Sequence, residues 1–218
     1  MKKYNAVIFD LDGVICHTDQ YHYQAWKKMA DKYHIPFDTK INNRLRGVSR
    51  MESLEIILEQ YTGPVLSDEE KIKMAVEKND LYKKLLNEMT ERDLSNEVKE
   101  TLDELRKMGM KLVIGSSSKN AKIILSRIGL DNYFDAISDG NNITKSKPDP
   151  EVFVKAAEFV KVTPKESIVV EDAESGIDAA MAAGAIPIGI GTASKYEKTA
   201  YSIQSFSELI EIVKKLNQ

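Results

Sequence analysis

Asp10 and Asp12 stand two residues apart and are followed at once by Gly13, at the end of the first apolar run of the chain, residues 5–10. On an extended strand such a pair shares one side. Here the strand is ending, and Gly13 supplies the freedom for a tight turn that can bring both carboxylates to one place. A second acidic pair, Glu171 and Asp172, ends another apolar run, Ser-Ile-Val-Val. As strands of one parallel sheet, the two runs would open both pairs into a single crevice. Four carboxylates crowded together raise one another's pKa, and a hard divalent cation that prefers oxygen relieves the crowding. With no histidine or thiolate in the set, magnesium fits and zinc does not. Taken alone, the Asp-Leu-Asp-Gly sequence is equally a plain strand exit, since Asp and Gly favour turns.

Two further residues have the right chemistry for a phosphate. Ser116 follows the apolar run Lys-Leu-Val-Ile-Gly and precedes a helical stretch beginning near Lys119, where a hydroxyl and backbone amides suit an anion. Lys147, in Lys147-Pro148, lies in a loop after a weaker apolar run at residues 135–138. The simpler alternatives are an N-cap serine and an exposed lysine.

The elements that must position these residues alternate along the chain. The runs at residues 5–10, 111–115, 167–171 and 185–190 are continuously apolar, as expected of strands buried on both faces. Between them lie helical patterns. Val98, Leu102, Leu105 and Met108 precede Gly109 as a stop; Asp149-Pro150 opens a helix with Phe153, Ala156, Ala157 and Val160. Gly176 and Gly184 enclose a small-residue helix, and Ser205-x-x-Glu208 is a capping box. Alternating strands and helices imply an α/β fold with an open, Rossmann-like parallel sheet. One stretch departs from the alternation. From Cys16 to Thr90 only helical periodicity is seen, with a stripe at Ala25, Trp26, Met29, Ala30 and Tyr33, and a second at Ile72, Ala75, Val76, Tyr82, Leu86 and Met89 after the capping box Ser67-x-x-Glu70. The expected organisation is a core domain of residues 1–15 and 92–218 with a helical insert of residues 16–91 over the strands' C-terminal edge, where such sheets bind ligands.

Bulk composition fits a soluble globular protein. The chain has 218 residues, 30% charged and 42% hydrophobic, with a net charge of −3, which offers no footprint for nucleic acid. Cys16 is the only cysteine, so no internal disulfide forms, and there is neither a signal peptide nor an apolar run long enough to span a membrane. The expectation is a cytoplasmic monomer acting on a small molecule.

In their order along the chain, Asp10-Leu11-Asp12-Gly13, Ser116 after a strand, Lys147-Pro148 and Glu171-Asp172 resemble the haloacid dehalogenase superfamily of phosphotransferases, and the helical insert looks like that family's cap. The resemblance spans essentially the whole chain. It implies that Asp10 is a nucleophile forming an aspartyl-phosphate and that Asp12 is the general acid/base. It also implies Mg2+ held by Asp10, the backbone carbonyl of Asp12 and Asp172, with Glu171 at or beside it. Ser116 and Lys147 would hold the transferring phosphoryl group.

The insert narrows the expectation. Thr18 and the segment from Tyr21 to Trp26, the segment Leu45-Arg46-Gly47-Val48-Ser49-Arg50, and Lys78-Asn79-Asp80 look like the β-phosphoglucomutase family. That likeness implies that Arg50 grips a second, non-transferring phosphate with help from Ser116, Ser117, Ser118, Lys119 and Asn120. Arg46, Gly47, Val48, Ser49, Ser53 and Lys78 would line a sugar site, with Thr18, His22 and Trp26 beside it and His22 positioning Asp12. His22 and Trp26 could instead simply pack, and Arg46 and Arg50 could be solvated surface charges. The implied reaction is isomerisation of β-D-glucose 1-phosphate to glucose 6-phosphate through a sugar bisphosphate. The alternative is a phosphatase of small sugar or polyol phosphates. A purely binding domain is disfavoured because both Asp10 and Asp12 are present.

Overall fold

A computed structural model of the chain describes residues 3–45 and 48–218. Six parallel strands form one sheet in the order β3-β2-β1-β4-β5-β6: β1 Ala6–Phe9, β2 Lys111–Gly115, β3 Ala136–Ser138, β4 Ser167–Glu171, β5 Ile186–Gly189 and β6 Tyr201–Ser202. Side-chain alternation explains why the strands read as unbroken apolar runs. Val7, Phe9, Leu112, Ile114, Ile168 and Val170 face one core with helices α5 Asn96–Lys107, α6 Ala121–Arg127 and α9 Leu209–Leu216. Ile8, Val113 and Val169 face the other, with α7 Glu151–Phe159 and α8 Glu174–Ala183. Both faces are covered, so neither can be polar.

The register sets the chemistry. Phe9 pairs with Ile114 on one side and Val170 on the other, so the next residue, Asp10, is level with Gly115 and Glu171. The Asp10 backbone N–H still donates to the Val170 carbonyl at 3.0 Å. Strand order reverses at β1, with β2 and β3 on one flank and β4 to β6 on the other. A crevice therefore opens at its C-terminal end.

Between β1 and α5 the described residues form four α-helices: α1 Asp19–Lys32, α2 Thr39–Asn43, α3 Arg50–Leu58 and α4 Asp68–Leu85. Capping boxes at Ser49/Glu52 and Ser67/Glu70 start α3 and α4. Trp26, Met29, Ala30, Leu54, Ile57, Met74 and Ala75 form a core of their own. The near ends of α1 and α4, with Tyr21, Ala25, Tyr82 and Leu85, continue into the core beneath the sheet.

Some expectations need correction. Ile72 and Val76 are 54% and 50% exposed, because α4 turns Met74, Ala75, Lys78, Tyr82 and Leu85 inward instead. Ser116 does not cap a helix: Asn120 precedes α6, and the Ser116 hydroxyl accepts from the Ser118 N–H at 3.1 Å. The helix after Asp149-Pro150 starts at Glu151, although Asp149 Oδ1 still accepts from the Glu151 N–H at 3.0 Å. The two-residue strand β6 has no sequence pattern to betray it.

Candidate active site

At the end of β1 the Asp10 carboxylate meets the ammonium of Lys147, which also pairs with Glu171. All three are nearly excluded from solvent. Burial alone would lower the lysine's pKa, but the charges of Asp10 and Glu171 outweigh it and hold the ammonium well above its usual range. Burial pushes the Glu171 carboxyl up, against the pull of Lys147. The ion pair is reinforced, because Glu171 is clasped from its other oxygen as well. Its Oε2 accepts the backbone N–H groups of Asp172 and Ala173 at 3.0 and 3.1 Å. A Cβ on Gly176 would lie 1.9 Å from its carboxyl carbon, so only glycine leaves room for this seat.

Asp10, Glu171 and Asp172 offer carboxylate oxygens that all lie within 4.8 Å of one another. Burial, then the charges of Asp10 and Glu171, push Asp172 up to about 8. Such mutual repulsion among oxygen donors suits a hard divalent cation, and the donor set contains no nitrogen or sulfur. Gly13 closes the arrangement. Its φ is +89°, and a Cβ there would stand 2.3 Å from Asp172 Oδ2.

The expected convergence of four carboxylates is therefore three. Asp12 turns away and accepts a hydrogen bond from the Thr18 hydroxyl, six residues on. Burial first, and then the charge of Asp10, push its carboxyl up to about 7, with Thr18 pulling it down. That is where a group must titrate to give and take protons near neutrality. Thr18 itself is fully buried. It is placed on Asp12 and not on the cavity wall where it was expected.

A cavity of about 520 Å³ lies over these groups, lined from both sides. The sheet edge contributes Asp10, Asp12, Lys147, Glu171, Asp172 and the loop 116–120. That loop is laced to the one after β3: the Gly140 N–H donates to the Ser118 carbonyl at 3.2 Å, and Asn141 Nδ2 to the Lys119 carbonyl at 2.9 Å. Within it the Ser117 hydroxyl is buried without a protein partner among the described residues. The helices and the turn entering α3 contribute His22, Trp26, Val48, Ser49, Arg50, Ser53 and Lys78. Arg46 and Gly47 lie outside the described residues.

Lys78, expected on the sugar side, lines the cavity from a deeply buried position. It is 3% exposed, lies 4.8 Å from the Trp26 ring centre and 4.6 Å from that of Tyr82, and donates to His22 Nδ1 at 2.9 Å. Burial, then Arg50, lower it to about 7. His22 stacks on Tyr82 with ring centres 4.0 Å apart, and burial, Lys78 and Arg50 hold its pKa well down, so the ring is neutral and can accept. Tyr82 lines the cavity with a buried hydroxyl. The sequence reading treated it as core only, although it lies four residues after Lys78 on the same helical face.

The haloacid dehalogenase-like hydrolase family model matches residues 7–190. The chain belongs to that family. Among family members it is similar to the β-phosphoglucomutase of Bacillus subtilis (strain 168), 42% identical over 192 residues, 85% of this chain and 83% of that one. It is also similar to the phosphorylated carbohydrates phosphatase of Thermotoga maritima, 31% identical over 181 residues, 82% and 81% of the two chains. A crystal structure of β-phosphoglucomutase from Clostridium difficile superposes with a TM-score of 0.90 at 39% identity, covering 98% of this chain and 97% of that one. The α/β family core and its helical insert thus recur together. No described helix is long and apolar enough to cross a membrane.

Proposed function

We propose that this family member is a β-phosphoglucomutase, interconverting β-D-glucose 1-phosphate and glucose 6-phosphate through glucose 1,6-bisphosphate. The observation that carries the reading is one cavity with two sets of cationic and amide groups. Asp10 and Lys147 stand on the strand side, and Arg50 on α3 shares the cavity with Lys119 and Asn120 on the loop after β2. A mutase must hold a bisphosphate by either phosphate, and a guanidinium suits the bidentate grip.

The steps follow from the residues. With a phosphoryl group on Asp10, the C6 hydroxyl of the sugar 1-phosphate attacks phosphorus; Asp12 accepts the hydroxyl proton, and the Asp10–phosphorus bond breaks. The bisphosphate turns round. Asp10 then attacks the phosphorus at C1, Asp12 returns the proton to the departing oxygen, and glucose 6-phosphate leaves a rephosphorylated Asp10. Throughout, Lys147 neutralises charge on the phosphoryl oxygens, which is where transition-state stabilisation is largest. Mg2+, held by Asp10, Asp172 and the Asp12 backbone carbonyl beside Glu171, would supply further neutralisation of the same oxygens. Ser116 and Ser117 offer hydroxyls to the same group. Val48, Ser49, Ser53, Lys78 and Trp26 face the sugar, and Thr18 with His22 orients the acid/base side. The reading carries with it a cytoplasmic monomer working on free sugar phosphates.

The test is a two-channel assay with Mg2+, β-glucose 1-phosphate and a trace of acetyl phosphate as primer. Glucose 6-phosphate is expected to accumulate with little free phosphate, and Asp10→Asn is expected to abolish both turnover and phosphoprotein labelling. Dominant release of free phosphate would instead make the protein a sugar phosphatase, the activity named for the Thermotoga relative.

A further inference from the structure

We infer that Asn79, on α4, is a positioning residue that sets the side-chain amide of Asn120 for the sugar's non-transferring phosphate, and so tunes affinity for phosphorylated sugars without touching the reacting centre. The inference rests on the reading above in one respect, that Asn120 faces that second phosphate.

The observation is a hydrogen bond across the two halves of the molecule. Asn120 Nδ2 donates to Asn79 Oδ1 at 3.0 Å, joining residues 41 apart in sequence. Asn120 directly precedes α6, where asparagine is among the best capping residues, yet its side chain makes no cap bond there. It reaches over to α4 instead. Asn120 is 4% exposed, and both residues line the cavity beside Arg50 and the 116–120 loop.

Orientation explains this bond better than stability does. A neutral amide pair contributes little net stability. Breaking α6's cap to form it costs about as much. A carboxamide has two donor hydrogens on one nitrogen in one plane. With one of them fixed on Asn79, the amide plane is set and the second donor is committed to a single direction. Asn79 is also flanked on α4 by Lys78, bonded to His22, and by Asp80, whose charge reaches Arg50. One turn of α4 therefore addresses the sugar side, the loop after β2 and the guanidinium together. A second phosphate between Arg50 and the loop would find Asn120 already turned.

The test is a double-mutant cycle with Asn79→Ala, Asn120→Ala and both, read in two reactions: turnover of β-glucose 1-phosphate, and Asp10 phosphorylation by acetyl phosphate, which carries no second phosphate. Alanine is a good helix residue at a half-buried site, so Asn79→Ala should fold. Its KM for the sugar phosphate is expected to rise about three- to tenfold, the equivalent of one hydrogen bond, with acetyl phosphate use unchanged. In the Asn120→Ala background the second substitution should add nothing. An unchanged KM, an equal loss in both reactions, or additive effects in the double variant would overturn the inference. Because KM is measured for whichever product forms, phosphatase turnover in the wild type would end the mutase reading while leaving this result interpretable.

Discussion

Replacing Lys78 with methionine is expected to stabilise the protein while weakening its hold on sugar phosphate. Lys78 is a buried ammonium whose partners are a neutral histidine and two aromatic rings, with no carboxylate bonded to it among the described residues. Burial, then Arg50, lower its pKa from 10.5 to about 7. That gap corresponds to about 5 kcal/mol against the charged form, of which about 4 kcal/mol opposes folding at pH 7, where the group is half titrated. The two ring contacts return about 1 kcal/mol together, and the bond to His22 about 1 more. Methionine has nearly the same shape and no charge, so Lys78→Met should gain about 2 kcal/mol at pH 7.

The sign with pH is what makes the reasoning testable. Above pH 7 the native amine has lost its proton while the unfolded one keeps it until about 10.5, so the unfolded state binds more protons and wild-type stability climbs with pH. Methionine has no such slope. The advantage of the variant should thus be largest at and below pH 7 and shrink steadily towards pH 10. Urea unfolding at pH 6, 7, 8 and 9 measures it directly, with KM for β-glucose 1-phosphate followed alongside and expected to rise. A variant less stable than wild type at pH 7, or a stability gap that does not move with pH, would refute the account of Lys78 as a strained, functional charge.

Three further substitutions probe the rest of the site. Lys147→Met leaves Asp10 and Glu171 buried without their counter-charge and should cost about 3 kcal/mol, more in a chelator than in excess Mg2+; a cost indifferent to the metal would argue against a cation at the three carboxylates. Gly13→Ala places a Cβ against Asp172 at a φ of +89° and should cost about 1–2 kcal/mol of backbone strain, raising the Mg2+ concentration for half-maximal activity; thermal melting and metal titration check the two parts separately. Arg50→Ala should raise the sugar phosphate KM about ten- to a hundredfold, the loss of charge-assisted hydrogen bonds, with acetyl phosphate turnover nearly unchanged. Equal effects on both substrates would remove Arg50 from the second phosphate.

The strand-end chemistry was readable in advance because it depends on short-range rules. Apolar runs that end in carboxylates must open at one sheet edge once the strands are parallel, and β1 lies between β2 and β4 in a register that sets Asp10 level with Glu171. What escaped the sequence was direction. Asp12 is two residues from Asp10, but the turn at Gly13 hands its carboxylate to Thr18 and not to the group formed by Asp10, Glu171 and Asp172. On α4, Ile72 and Val76 fit a helical stripe as well as Met74 does, and periodicity cannot tell a core wall from a cavity rim. The link between Asn79 and Asn120 joins two unremarkable polar residues from different layers, and no local pattern announces it.

These misread residues cluster where the helices meet the sheet, and there is a physical reason for that. A core side chain answers to packing alone, so its type is predictable from its surroundings. A residue on a cavity wall between two layers must also serve a ligand. Helix α4 carries that burden most visibly. It is tied to α1 by Lys32–Glu77 at 2.7 Å and to α3 by Lys71–Glu55 at 2.9 Å, exposed pairs worth little each but acting on the same helices that share a core. A displacement of α4 would therefore carry α1 and α3 with it. Lys78, Asn79 and Arg50 would move as one unit relative to Asp10 and Lys147. On the proposed reading, with the acceptor hydroxyl held by that unit and the phosphoryl donor by the sheet, the choice between sugar and water at Asp10 would depend on how the two layers meet. The core chemistry is common to both outcomes.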